Sequence, residues 1–172
     1  MKKIILNIAL IAFLGCSSTL VFGQTGTRIF ENSGNFSYRP PLDWNVREFP
    51  GLKYRVVFGP TEGGFTTNIN FVDETYNGNL TSYVDICLSQ LRTFLPDFRL
   101  LSRETFRNNL GTVGEKVVIN NTQQGFFLRQ IFYILPARNN IYFVITCSVI
   151  DSAATGYLSI FDESIKTFEL IQ

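Results

Sequence analysis

Few residues in this chain are equipped for chemistry. It contains no histidine, which removes Ser-His-Asp and Cys-His arrangements and the usual zinc ligand sets. Cys87 and Cys147 are the thiols of the main body of the chain. A nucleophilic thiol needs an activating base and an electropositive setting. Both cysteines stand instead among apolar neighbours, Cys87 on the apolar stripe of a helix. The pair admits a disulfide in an oxidising compartment or two buried thiols. Among the carboxylates, Asp73-Glu74 closes a strand-like run just before a helix, and Asp43, Glu48 and Glu62 lie in or near turns. Paired carboxylates can serve a glycosidase or hold calcium. No spacing here matches a calcium loop, and no G-x-x-x-x-G-K or G-x-G-x-x-G phosphate loop is present. The plain reading is solvated turn residues. The sharper readings are a partner contact at Asp73 and Glu74, or a hydrolase working with carboxylates alone. Trp44, the only tryptophan, either packs over the end of a sheet or stands beside Pro40-Pro41 as a partner-binding platform. The expectation is a protein with no catalytic residue, no metal and no cofactor.

The elements that must carry these residues follow from periodicity. Phe36 and Tyr38 alternate with polar neighbours, the period of a half-buried strand. After a turn at Pro40-Pro41-Leu42-Asp43, extended patterns run over 44–49, 53–59 and 67–72, separated by Pro50-Gly51 and by Pro60 to Gly64. In the last of these, Ile69 and Phe71 share one face, Asn68 and Asn70 the other. The period then changes: Leu80, Val84, Cys87, Leu88, Leu91, Phe94 and Leu95 recur at spacings of three and four, an amphipathic helix. Asn79 suits its N-cap, and Pro96 stops it. Strands are expected over 98–106, 113–120, 126–135 and 141–150. The last two are apolar on both faces and need cover on both sides. A closing helix capped by Asp151 or Ser152 carries Ala154, Leu158, Phe161, Ile165 and Phe168 as its stripe. The order strands, helix, strands, helix predicts an α+β fold, an α/β/α sandwich whose mainly antiparallel sheet has a helix on each face.

The N-terminus reads as an export signal. Met1-Lys2-Lys3 is basic, 4–14 is almost unbroken apolar sequence, and small residues precede Gln24. The expected organisation is a signal peptide over 1–23, a flexible arm over 24–34 and one domain over 35–172. Cys16 after Leu14-Gly15 resembles a lipobox, so a lipoprotein anchored through Cys16 is the rival, and a retained membrane anchor a third reading. Without Lys2 and Lys3, 13 basic residues face 14 acidic ones, a net charge of −1. No basic stripe is present, so nucleic acid, which demands displaced counterions, is not an expected partner.

The segment Phe36-Ser37-Tyr38-Arg39-Pro40-Pro41-Leu42-Asp43-Trp44-Asn45-Val46 resembles the opening of PsbP-like and DcrB-like domains: an extended run with aromatics, a proline turn, then a tryptophan. The later order, a helix ending at Leu95-Pro96, long strands and a closing helix through Ile165-Lys166-Thr167-Phe168, is similar to that family over 33–171. The resemblance implies the fold shared with the Ran-binding Mog family and a binding or assembly role. PsbP proteins are extrinsic subunits of photosystem II, DcrB-like proteins sit in the bacterial envelope, and Eag-type relatives chaperone secreted effectors. The metal-binding histidines of some photosynthetic members have no counterpart here. The implied partner is a protein, with a membrane complex as one form of it. Fold alone does not carry function.

If the signal reading holds, mass spectrometry of the mature protein shows a chain beginning at Gln24. A diacylated Cys16 at the N-terminus would establish the lipoprotein instead.

Overall fold

The computed structural model describes residues 24–171; the signal-peptide segment and the lipidation candidate Cys16 lie outside the described residues. The strands are β1 (Ile29–Glu31), β2 (Phe36–Tyr38), β3 (Asn45–Arg47), β4 (Val56–Glu62), β5 (Phe65–Thr75), β6 (Arg99–Arg107), β7 (Val113–Gln123), β8 (Phe126–Pro136), β9 (Ile141–Ile150) and β10 (Glu169–Leu170). Two helices complete the order, α1 (Leu80–Phe94) after β5 and α2 (Ala154–Lys166) after β9. Seven strands form one antiparallel sheet in the order β3-β4-β5-β9-β8-β7-β6. β1, β2 and β10 form a small second sheet, also antiparallel.

The two strands expected at the centre are there. β9 and β8 are hydrogen-bonded neighbours, flanked by β5 and β7. Their side chains alternate between two apolar clusters. Phe132, Ile134, Tyr142 and Val144 meet α1 through Tyr83, Val84, Cys87, Leu88 and Leu91. Ile131, Tyr133, Leu135, Phe143, Ile145 and Cys147 meet α2 through Tyr157, Ile160, Phe161 and Ile165. Each helix therefore covers one face. The small sheet joins the α2 side: Phe36 of β2 packs its ring about 5 Å from those of Tyr54, Phe71, Phe143 and Phe168. The segment expected as a loose arm is tied down at this point, because β1 pairs with β2 and Arg28 bonds Glu169 at 2.8 Å.

Local chemistry sets the element ends. The Asn79 side chain accepts the Ser82 N–H at 2.9 Å, capping α1. At the other end Leu95 is extended, as a residue before proline must be. Gly63-Gly64 and Gln124-Gly125 make two-residue hairpin loops with positive φ at both positions, the mirror-image turn that matches strand twist. Three details depart from the periodicity reading. Phe94, assigned to the apolar stripe of α1, is 73% exposed, while Tyr83 is buried in its stead. On α2 the buried line runs through Tyr157, Ile160, Phe161, Ser164 and Ile165, and Leu158 is only half-buried. Neither Asp151 nor Ser152 caps α2; they form a single 3₁₀ turn, and the Asp151 carboxylate accepts from Arg129 at 2.6 Å.

Truncating a large buried side chain typically costs about 2–5 kcal/mol, against a total of about 5–15 kcal/mol for a domain. Leu91→Ala and Phe36→Ala are therefore expected to lower the midpoint of urea unfolding strongly. Phe94→Ala should stay within about 0.5 kcal/mol of wild type, as an exposed site does. Equal losses at all three positions would show that the face of α1 is misassigned.

Candidate functional site

The strand registers bring together a set of polar residues that no single segment reveals. On the α1 face, Asn68 of β5 stands opposite Ser148 of β9, which stands opposite Gln130 of β8. One step along, Asn70 pairs with Thr146. Asn121 of β7 points to the same face, two residues beyond Ile119. All six are buried, and neither helix's apolar cluster includes any of them. The cluster beneath α1 ends at Phe132 and Val144, and this amide and hydroxyl floor begins there.

The floor is hydrogen-bonded but not saturated. Gln130 is its hub. Its Nε2 donates to Ser148 Oγ at 2.9 Å, and its Oε1 accepts from Asn121 Nδ2 at 2.8 Å and from Gln123 Nε2 at 3.1 Å. Asn68 Nδ2 donates to the Thr66 carbonyl at 3.0 Å. The Asn68 and Asn121 Oδ1 atoms are buried with no donor. A buried acceptor left bare costs about 1–3 kcal/mol, and such groups are uncommon enough to need a reason. No member of the floor carries a charge. Its groups are neutral amides and hydroxyls, which interact through hydrogen bonds. Among the described residues no group of three or more Cys, Asp or Glu could hold a metal ion.

The residues singled out in the sequence lie elsewhere. Asp73 and Glu74 are consecutive on β5 and point to opposite faces, so they cannot act on one ligand as a pair. Asp73 accepts from Lys53 Nζ at 2.8 Å and from Tyr54 Oη at 2.9 Å; Glu74 accepts from Tyr83 Oη at 2.6 Å. Burial raises the Glu74 carboxyl above its ordinary range; the Tyr83 bond pulls it back and the Asp73 charge adds to the rise. Trp44 packs edge-on against Tyr157 and Phe161 on the α2 side. Its ring occupies the space a Cβ at Gly59 would need, and it is half-buried against the α2-side cluster. No disulfide joins Cys87 to Cys147. Both are free and buried, and the sheet lies between them, Cys87 under α1 and Cys147 on the α2 side. Burial pushes the Cys87 thiol up to about 12 and raises Cys147 well above its ordinary value, the opposite of activation.

No family model matches the sequence, and no curated protein does. Solved structures do. LpqN, involved in cell envelope biogenesis of Mycobacterium tuberculosis, superposes with a TM-score of 0.64 at 12% identity, over 87% of this chain and 91% of its own. Cyanobacterial PsbP (CyanoP) from Synechocystis sp. PCC 6803 gives 0.62 at 12% identity, over 91% and 98%. The Saccharomyces cerevisiae Ran-binding protein Mog1p gives 0.64 at 12% identity, over 87% and 96%. The chain has the Mog/PsbP fold. The Mog/PsbP architecture expected from the 36–46 segment is therefore the observed one, with a mostly antiparallel seven-stranded sheet and two helices.

The floor had a sequence signal. Gln130, Thr146 and Ser148 interrupt strands that are otherwise apolar on both faces, and Asn68 and Asn70 alternate with Ile69 and Phe71. Alternation read the two asparagines as a polar face; only the register shows that this face is buried and continuous with Gln130.

The raised Glu74 carboxyl carries a pH dependence. The folded state holds this proton to higher pH than the unfolded chain, so stability falls as pH rises through the folded-state titration. Gln at this position does not ionise and still accepts the Tyr83 hydroxyl. The melting temperature of Glu74→Gln relative to wild type should therefore rise between about pH 4 and about pH 7. A gap that is constant across that range would contradict the assignment.

Proposed function

We propose that this chain is an exported, non-catalytic binding or accessory protein of the bacterial cell envelope, and that it recognises its ligand through the amide floor of its central sheet. The single observation carrying this is the buried pair of unsatisfied acceptors, Asn68 Oδ1 and Asn121 Oδ1, set in an uncharged network around Gln130. The floor is buried as it stands; opened to a ligand, its bare acceptors answer N–H and O–H donors on a neutral group. It carries no formal charge to pair with a phosphate or a metal ion. The export part rests on the basic, apolar, then small-residue order of 1–23, and it agrees with the cell-envelope role stated for LpqN. Among the described residues no helix is long and apolar enough to cross a membrane. A binding role agrees with Mog1p, a Ran-binding protein of the same fold; likeness of fold supplies the context and the floor supplies the site.

The test uses the chain expressed with its own N-terminus in a bacterial host. Osmotic-shock fractionation should place it outside the cytoplasm, and native mass spectrometry of protein purified from that fraction should show a bound component. Asn68→Leu removes one bare acceptor, so it should release the component while lowering the melting temperature by no more than a few degrees, since the lost polar group was not fully satisfied. Full retention in the cytoplasm would overturn the export reading. Undiminished binding by the variant would overturn the floor as the site.

A further inference from the structure

The connection between β5 and α1 is short, 76–79, and pinned at both ends. The Tyr76 N–H bonds the Asn140 carbonyl at 2.9 Å, and Asn79 caps the helix. Between the pins stands Asn77-Gly78, the only Asn-Gly pair in the 172 residues. Both residues are exposed. The Gly78 N–H makes no hydrogen bond among the described residues. Close packing demands the glycine: a Cβ there would lie 2.3 Å from the Tyr76 ring. That ring is itself set against Tyr83 and Tyr142, with centroids 5.3 and 6.3 Å away. No side chain at 78 therefore shields its nitrogen.

An asparagine before glycine is open to attack by its own main chain. The next nitrogen reaches Cγ to close a five-membered ring, and glycine puts no Cβ in the way. The fold adds a second element. Asn140, from the loop between β8 and β9, donates Nδ2 to Asn77 Oδ1 at 3.1 Å. That oxygen takes up negative charge when Cγ is attacked, so a donor aimed at it lowers the barrier. Asn140 is held by its left-handed backbone, φ 58°, and by the Tyr76 bond. We propose that Asn77 is a site of spontaneous modification, where the protein converts its own amide to a carboxylate that the fold accepts. The Gly78 nitrogen gives its proton to hydroxide and its electron pair to Asn77 Cγ. The Cγ–Nδ2 bond breaks, and the nitrogen leaves as ammonia with a proton from water. Water then opens the succinimide at either carbonyl, giving aspartate or isoaspartate at 77. The new negative charge stands two residues ahead of the α1 cap. A helix N-terminus favours such a charge, and the first turn of α1 has no acidic residue of its own.

The test incubates the purified full chain at neutral pH in heavy-oxygen water and locates the incorporated label by peptide mass spectrometry. Label should enter at residue 77 before any other asparagine, including the exposed Asn79 and Asn109. Asn77→Gln, whose cyclisation needs a larger ring, should show no label at that position. Asn140→Asp keeps a residue type that tolerates the left-handed backbone but removes the donor. Labelling at 77 should then slow about three- to tenfold, the worth of one hydrogen bond. A circular dichroism melt matching wild type would show that these variants are folded. Asn77→Asp, the aspartyl product made directly, should melt no lower than wild type. Label entering first at another asparagine, an unchanged rate in Asn140→Asp, or a lower melting temperature for Asn77→Asp would each overturn the proposal.

Discussion

The pairing of β8 with β9 is the contact on which everything else depends. It runs without a register break from Leu128 opposite Ile150 to Pro136 opposite Tyr142. Because side chains alternate along a strand, this one register decides which residues go to each face. It sends Phe132 and Val144 to α1, and Tyr133 and Ile145 to α2. A slip of β8 by one residue would place Gln130 in the aromatic core of the α2 side and move Ile131 out of it. The long central pair is held by its own main chain; its faces then demand two amphipathic helices, and the sequence supplies them.

Tyrosine settles how the core meets water. Tyr54, Tyr83, Tyr133 and Tyr157 each bury a ring and donate the hydroxyl to a carboxylate, those of Asp73, Glu74, Asp162 and Glu62, at 2.6–2.9 Å. A ring contributes apolar burial at one end and needs a partner at the other. The carboxylates at the rim provide it, and burial raises all four phenols above their ordinary values. This explains why acidic residues that look suited to catalysis are occupied in structure. It also sharpens the contrast with the floor, where Asn68 and Asn121 keep acceptors that no neighbour answers.

The unsaturated polar groups lie inside the sheet, on its α1 face. The floor offers neutral acceptors on the central strands, held rigidly by pairing on both sides. The placement of these groups comes from the strands, as rigid elements position side chains better than loops.

The sequence by itself determined the element order, the α+β class and the two-sided cover of the central strands. It also marked the start of α1 at Asn79 and its stop at Pro96. These are local properties: a period of two or of 3.6, a capping amide, a residue with no N–H. It placed Val84, Leu88, Leu91, Phe161 and Ile165 inward for the same reason. Only the tertiary structure decided that β5 lies beside β9, and with that came the meeting of Asn68, Ser148 and Gln130 from three separate segments. Periodicity says which residues share a face but not what lies over it. Asn68 and Asn70 therefore read only as a polar face, with its cover unstated, and Phe94 read as core although the last turn of α1 leaves it exposed. Likewise Cys87 and Cys147, two thiols that sequence leaves free to pair, are separated by a sheet whose strand order is non-local.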